Sequence, residues 1–252
     1  GVVHLSDPAV DVALREALGD VQGRLRLGVI GSLGVRRDEQ AVDALARLLR
    51  ETDTARAAAR ALGNIGKPSA VKALEDALPE ASNRNQQSLC EGLLRCAETL
   101  AAEGQGDLSR EIYDRLRKLP NAPSPVRAAA LRGAILARGD DGLPLLVEAI
   151  EGPDYALATA AVRTAMELPG PEVTDALATE LSKGPAERKG LLILALADRG
   201  ESRVLPSVLE VAESDDPQLR MLAFRALKRI GDASCVPSLL DAAAGGDDEI
   251  AQ

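Results

Sequence analysis

The sequence predicts an all-α fold, about seven helical hairpins packed side by side, and three observations predict it. Ala and Leu dominate, both strong helix formers, while the aromatic residues are confined to Tyr113, Tyr155 and Phe224. Neighbouring helices must therefore approach on small side chains. An internal repeat is visible: "ARALGNIGKPSAVKALEDAL", Ala59 to Leu78, returns as "FRALKRIGDASCVPSLLDAA", Phe224 to Ala243, with Arg, Ala, Leu, Ile, Gly, Ser, Val, Leu, Asp and Ala in register. Finally, Pro125, Pro153, Pro185 and Pro217 recur at intervals of 28, 32 and 32 residues.

Each of these prolines follows Ser, Gly or Asp and precedes an apolar run of helical spacing. Proline suits the first turn, where its missing N–H would be unpaired anyway, and the residue before it can cap. Each marks the start of a first helix. In the last of them Leu219, Leu222, Ala223, Ala226, Leu227 and Ile230 form one stripe, and Gly231 ends the run. Gly66, Gly139, Gly170 and Gly200 hold similar places, where a left-handed terminal residue is easiest for glycine. A second helix then begins near Pro68, Pro171, Pro206 or Pro237. One such hairpin cannot bury its own apolar face, so the hairpins must stack.

In chain order, residues 1–20 are a partial leading repeat and residues 21–82 two hairpins. Residues 83–122 form a longer irregular one, with "EGQGD" as its turn, and residues 123–246 hold four regular hairpins. Residues 247–252 look like the opening of a further repeat, and the natural protein is expected to continue. The irregular hairpin is expected to mark the boundary between a two-hairpin and a four-hairpin part.

The pattern Asp, Pro, x, Leu/Val, Arg, x, x, Ala, then Ala, Leu, Gly, x, Ile, Gly, then Val, Pro, x, Leu resembles the bacterial HEAT repeat, including the HEAT-like repeats of phycobilisome lyases. It is carried by "DPQLRMLAFRALKRIGDASCVPSLL" and "TARAAARALGNIGKPSAVKAL", and more loosely by "SPVRAAALRGAILARGDDGLPLL". The resemblance covers nearly the whole chain and implies a right-handed α–α superhelix, an α-solenoid. It implies a construction method more than an activity.

Several functions are disfavoured. A net charge of -9 speaks against neutralising phosphates with a basic face, so nucleic acid is not an expected partner. No apolar run approaches the roughly 20 residues of a membrane span, and no signal-peptide pattern is present. The chain is expected to be soluble and monomeric, in a compartment the sequence does not specify. His4 is the only histidine, so neither a catalytic triad nor a multi-histidine metal site can be assembled. HEAT-like metal hydroxylases would require paired His-Glu motifs, and HEAT-like DNA glycosylases a basic face with aromatic residues. No cofactor, metal or catalytic residue is assigned. Cys90 and Cys96 lie about 9 Å apart along one helix, too far for a disulfide, and with Cys235 are expected to be small buried hydrophobes. "GVIGSLG", Gly28 to Gly34, lacks the strand before and the Lys-Ser or Lys-Thr after that a phosphate loop needs. It is expected to be a stripe of small residues where helices pack.

Charge suggests where a partner would bind. Arg56, Arg60, Arg127, Arg163, Arg220 and Arg225 recur on first helices, as a binding ladder or, the favoured reading, as structural contacts to neighbouring helix ends. From the fourth hairpin onward the second helices and adjoining turns are acidic. The helix dipole accounts for carboxylates in first turns but not for Glu148, Glu151, Glu180, Glu210 and Glu213 near helix C-termini. In HEAT stacks second helices line the concave surface, so the resemblance implies an acidic groove containing these residues and Asp175, with Tyr113 and Tyr155 as aromatic anchors. The expected function is a noncatalytic scaffold that binds a basic protein segment. The alternative is an accessory module of a larger enzyme, or a lyase-like cofactor chaperone.

Overall fold

The computed structural model describes residues 7–244, so His4 and residues 247–252 lie outside the described part. Among the described residues every regular element is a helix. The chain divides into two compact units, Gly1–Ala137 and Arg138–Gln252. The division falls within residues 123–246 and not at the irregular hairpin.

The first unit contains α1 (Pro8–Asp20), α2 (Gly23–Arg36), α3 (Val42–Leu48), α4 (Ala55–Ile65), α5 (Pro68–Ala77), α6 (Asn83–Ala102), α7 (Gly106–Lys118) and α8 (Ser124–Leu136). First helices α2, α4, α6 and α8 pack in sequence as one layer, while α3 packs on α5 in the other. Ile30, Leu33, Leu45, Leu62, Ile65 and Leu74 are fully enclosed between the layers. The irregular hairpin has a visible consequence. Helix α6 runs for 20 residues, and an apolar cleft of about 570 Å³ opens between the end of α5 and α7, with Leu78, Leu93, Ile112, Leu116 and Leu119 in its walls.

The second unit contains α9 (Leu143–Glu151), α10 (Tyr155–Ala165), α11 (Pro171–Lys183), α12 (Ala186–Arg199), α13 (Leu205–Ala212), α14 (Pro217–Ile230) and α15 (Val236–Ala244). Here α10, α12 and α14 form one layer and α9, α11 and α13 the other.

The local signals act as physical chemistry requires. Pro68, Pro171 and Pro217 are the first residues of α5, α11 and α14. Asp216 accepts hydrogen bonds from the N–H groups of Gln218 at 2.9 Å and Leu219 at 3.4 Å, and Asp154 serves α10 in the same way. Gly66 and Gly200 end α4 and α12 in the left-handed region, at φ 62° and 72°. Gly231 departs from that pattern: it ends α14 in an extended conformation. Gly170 likewise lies beyond α10, as the residue preceding α11.

The small-residue stripe is only half explained by packing. A Cβ built on Gly34 would lie 2.7 Å from the Cα of Ala61, so α2 and α4 meet there. On Gly28 or Gly31 it would meet nothing within 4 Å, and both residues are exposed. The expectation that the whole "GVIGSLG" stripe serves helix packing is therefore corrected at these two positions.

Candidate interaction surfaces

On the second-helix layer of the second unit the apolar stripe of each helix faces inward, which turns the intervening positions to solvent. Glu148 and Glu151 of α9, Glu172 and Asp175 of α11, and Glu210 with the following Glu213 of α13 are all exposed. Two contacts tie the helices of this face together. Ser182 donates to Glu210 Oε2 at 3.3 Å, and Arg203 lies 3.3 Å from Asp175 Oδ2. Arg203 also bridges to Glu201, so Asp175 is partly neutralised. Carboxylates still outnumber the exposed cations of this face, Arg203 and Lys183.

Glu180 does not share that face. It is 5% exposed and sits among Val173, Leu177 and Leu181, on the inward stripe of α11. Burial, with repulsion from Glu151 and only partial relief from Lys183, holds its carboxyl above the usual range. A carboxyl so raised supports the folded state while protonated and opposes it as pH climbs through the raised value. Glu180→Gln, which keeps the shape without the charge, is therefore expected to raise the melting temperature at pH 7. The gain should shrink toward pH 4, and melting curves at the two pH values check this.

The tyrosines separate. Tyr155, the first residue of α10, is 54% exposed. Tyr113 is 7% exposed, with its ring where a Cβ on Gly133 of α8 would be. It is a packing residue of the first unit, not an accessible anchor, and burial pushes its phenol upward. The stripe Ile112, Tyr113, Leu116 was the sequence signal for this placement.

The arginines also fall into two groups. Several reach main-chain carbonyls of neighbouring elements. Arg37 donates to Asn64 O at 3.0 Å, Arg110 to Ala137 O at 3.4 Å, and Arg188 to Ile150 O and Gly152 O at the end of α9. Arg199 does the most. Its side chain is 9% exposed and donates to Ala165 O at 2.8 Å, Leu168 O at 3.0 Å and Gly170 O at 2.8 Å. Its Nε reaches Thr174 Oγ1 at 2.6 Å, and Thr174 in turn donates to Glu201. Arg220 donates to Ser214 O at 3.1 Å. By contrast, Arg56, Arg60, Arg163 and Arg225 are exposed and their side chains, among the described residues, make neither ion pair nor hydrogen bond. The structural reading of the ladder does not extend to these four.

Cys90, Cys96 and Cys235 are free and buried. Burial pushes the Cys90 thiol up to about 11 and that of Cys96 up to about 12, far from the reactive thiolate. Among the described residues no group of three or more His, Cys, Asp or Glu could hold a metal ion, and no helix is long and apolar enough to cross a membrane.

Paired helices in two layers, short proline-led turns and surfaces made of repeated positions define a helical-hairpin repeat protein. The chain belongs to the HEAT-repeat family: the family model described as "HEAT repeats" matches residues 10–93 and 174–252. No curated protein matches the chain. Several solved structures are similar to it. One is an engineered protein, at 21% identity over 96% of this chain and 75% of that one, with a TM-score of 0.43. Another is human deoxyhypusine hydroxylase in complex with glycerol, at 16% identity over 96% and 92%, TM-score 0.40. A third is the complex of CpcE and CpcF of phycocyanin lyase from Nostoc sp., at 18% identity over 95% and 96%, TM-score 0.41.

Proposed function

We propose that this chain is a noncatalytic binding scaffold whose second-helix layer in the second unit receives a basic protein segment. The observation that carries the reading is the run of exposed carboxylates on adjacent helices, Glu148 and Glu151, then Asp175, then Glu210 and Glu213. Negative charge near a helix C-terminus is mildly unfavourable, so Glu148, Glu151, Glu210 and Glu213 cost the helices something that a cationic partner would return. Repeat proteins distribute binding over several units, so one substitution removes only part of it. Tyr155, exposed at the start of α10, belongs to the other layer of this unit and is not part of the carboxylate face.

The test is fluorescence anisotropy with a labelled 20-residue peptide rich in Lys and Arg. It compares the natural chain with a variant carrying Gln at 148, 151, 210 and 213 and Asn at 175. The natural chain is expected to bind about tenfold more tightly than the variant in low salt, and the difference should narrow in 0.5 M salt as charges are screened. Equal affinity of the two folded proteins would refute the reading.

A further inference from the structure

The solvent side of α2 and α4 in the first unit carries an arrangement that the folding of this chain does not require. Gly28 and Gly31 lie inside α2, where glycine weakens a helix relative to alanine, yet neither is close to another part of the chain. On the same side Leu27 is 40% and Val35 57% exposed. The spacing 27, 31, 35 follows one line along the helix. Across from it stand Arg56 and Arg60 of α4, one helical turn or about 6 Å apart. With Ala57, the residues Leu27, Gly31, Val35, Arg56 and Arg60 line a groove of about 490 Å³, in which Asp53 is the one acidic residue.

We infer that this groove docks an amphipathic α-helix of a partner protein, one with acidic residues spaced four apart beside an apolar stripe. Gly31 lets another helix come close, since no side chain holds it off there. Leu27 and Val35 offer apolar contact at either end of the approach. Arg56 and Arg60 match carboxylates at the same i, i+4 spacing, and their guanidinium groups are free to form paired hydrogen bonds with them. A helix suits the groove better than an extended peptide. The backbone groups of α2 and α4 are already paired within their helices, so an extended segment would find no main-chain partners, whereas a helix satisfies its own. Duplex nucleic acid would gain from two cations only, against the chain's net charge of -9. The groove shares no residue with the carboxylate face of the second unit, so either proposal can fail without the other.

The test uses a labelled 18-residue helical peptide with a Leu/Ala stripe and Glu at i, i+4 positions. Its Lys counterpart, polyglutamate and an 18-base-pair DNA duplex are titrated in parallel. The natural chain is expected to bind the Glu peptide about tenfold more tightly than each of the others. Arg56→Glu with Arg60→Glu should reverse the preference between the Glu and Lys peptides. Gly31→Leu, which fills the groove from a position with open space around it, should weaken the Glu peptide about tenfold without lowering the melting temperature. Undiminished binding by the Gly31→Leu chain overturns the proposal. So does equal binding of polyglutamate, which would reduce the site to charge alone, or tighter binding of DNA. Sedimentation showing a dimer that Gly31→Leu dissolves would make a second copy the occupant and overturn the acidic-helix assignment.

Discussion

Arg199→Met is expected to destabilise the second unit by about 3 kcal/mol, in the range measured when a buried charge-assisted network loses one member. Three carbonyls beyond and at the end of α10 accept from this one guanidinium, at 2.8, 3.0 and 2.8 Å. Methionine fills much of the volume but donates nothing. Leu168 O and Gly170 O would have to find water or remain unpaired, at about 1–3 kcal/mol for each group left without a partner, while Ala165 O would keep only the N–H of Leu168 at 3.3 Å. The acceptors Thr174 and Glu201 lose their cation as well. The loss should appear as a melting temperature lower by about 6–12 °C for a chain of this size. Because each repeat leans only on its neighbours, hydrogen exchange should accelerate in α10, α11 and α12 before it does in the first unit. Arg199→Lys should fall between, since a single ammonium cannot span three carbonyls. Arg203→Met, at a side chain that is 47% exposed, should cost under about 1 kcal/mol. An Arg199→Met chain that melts with Arg203→Met would show that water replaces the guanidinium without loss.

How much of this was legible depended on whether the signal was local. Helix starts at Pro68, Pro171 and Pro217 and helix ends at Gly66 and Gly200 follow from one residue's own backbone preferences, so sequence suffices. The all-helical architecture follows too, because period and composition agree throughout. Two site residues went astray although their helical phase was readable. Glu180 follows Val173 and Leu177 at +7 and +3, on the apolar stripe, and Tyr113 shares its stripe with Ile112 and Leu116. Charge in one case and aromaticity in the other suggested a surface role that phase contradicts. Other features had no local signal. Arg199 looks like any basic residue in a last helical turn, and its importance comes from carbonyls 29 to 34 residues earlier in the chain. The division between Ala137 and Arg138 also lacks one, because the proline and glycine pattern continues through it.

The glycines give the second large effect, and their value is that the sign changes along the chain. In the middle of a helix Gly→Ala should stabilise by about 1 kcal/mol when space is free, because alanine is the better helix former. Gly31→Ala meets that condition, with nothing within 4 Å of the added Cβ. Gly92→Ala in α6 does not. Its Cβ would lie 2.7 Å from the carbonyl oxygen of Ala59 and 3.2 Å from both terminal carbons of Leu74. The first of these is backbone and cannot swing aside, so α4 and α6 must move apart, and overpacking of this kind costs about 1–3 kcal/mol. Such separation also loosens Ala58, Ala59, Ala61 and Leu62, all 1% exposed or less, so a net loss of about 1 kcal/mol is expected after the propensity gain. Gly63→Ala meets the carbonyl oxygen of Gly92 at 2.8 Å across the same contact. Once one alanine has driven the helices apart the other fits more easily, so the double variant should cost less than the sum of the single ones. Urea titrations of the natural chain and the four variants decide it: Gly31→Ala above the natural chain, Gly92→Ala and Gly63→Ala below it, and the double variant short of additivity. If Gly31→Ala fell as far as Gly92→Ala, the open space beside Gly31 would be wrong, and the helix-docking groove on α2 would fall with it.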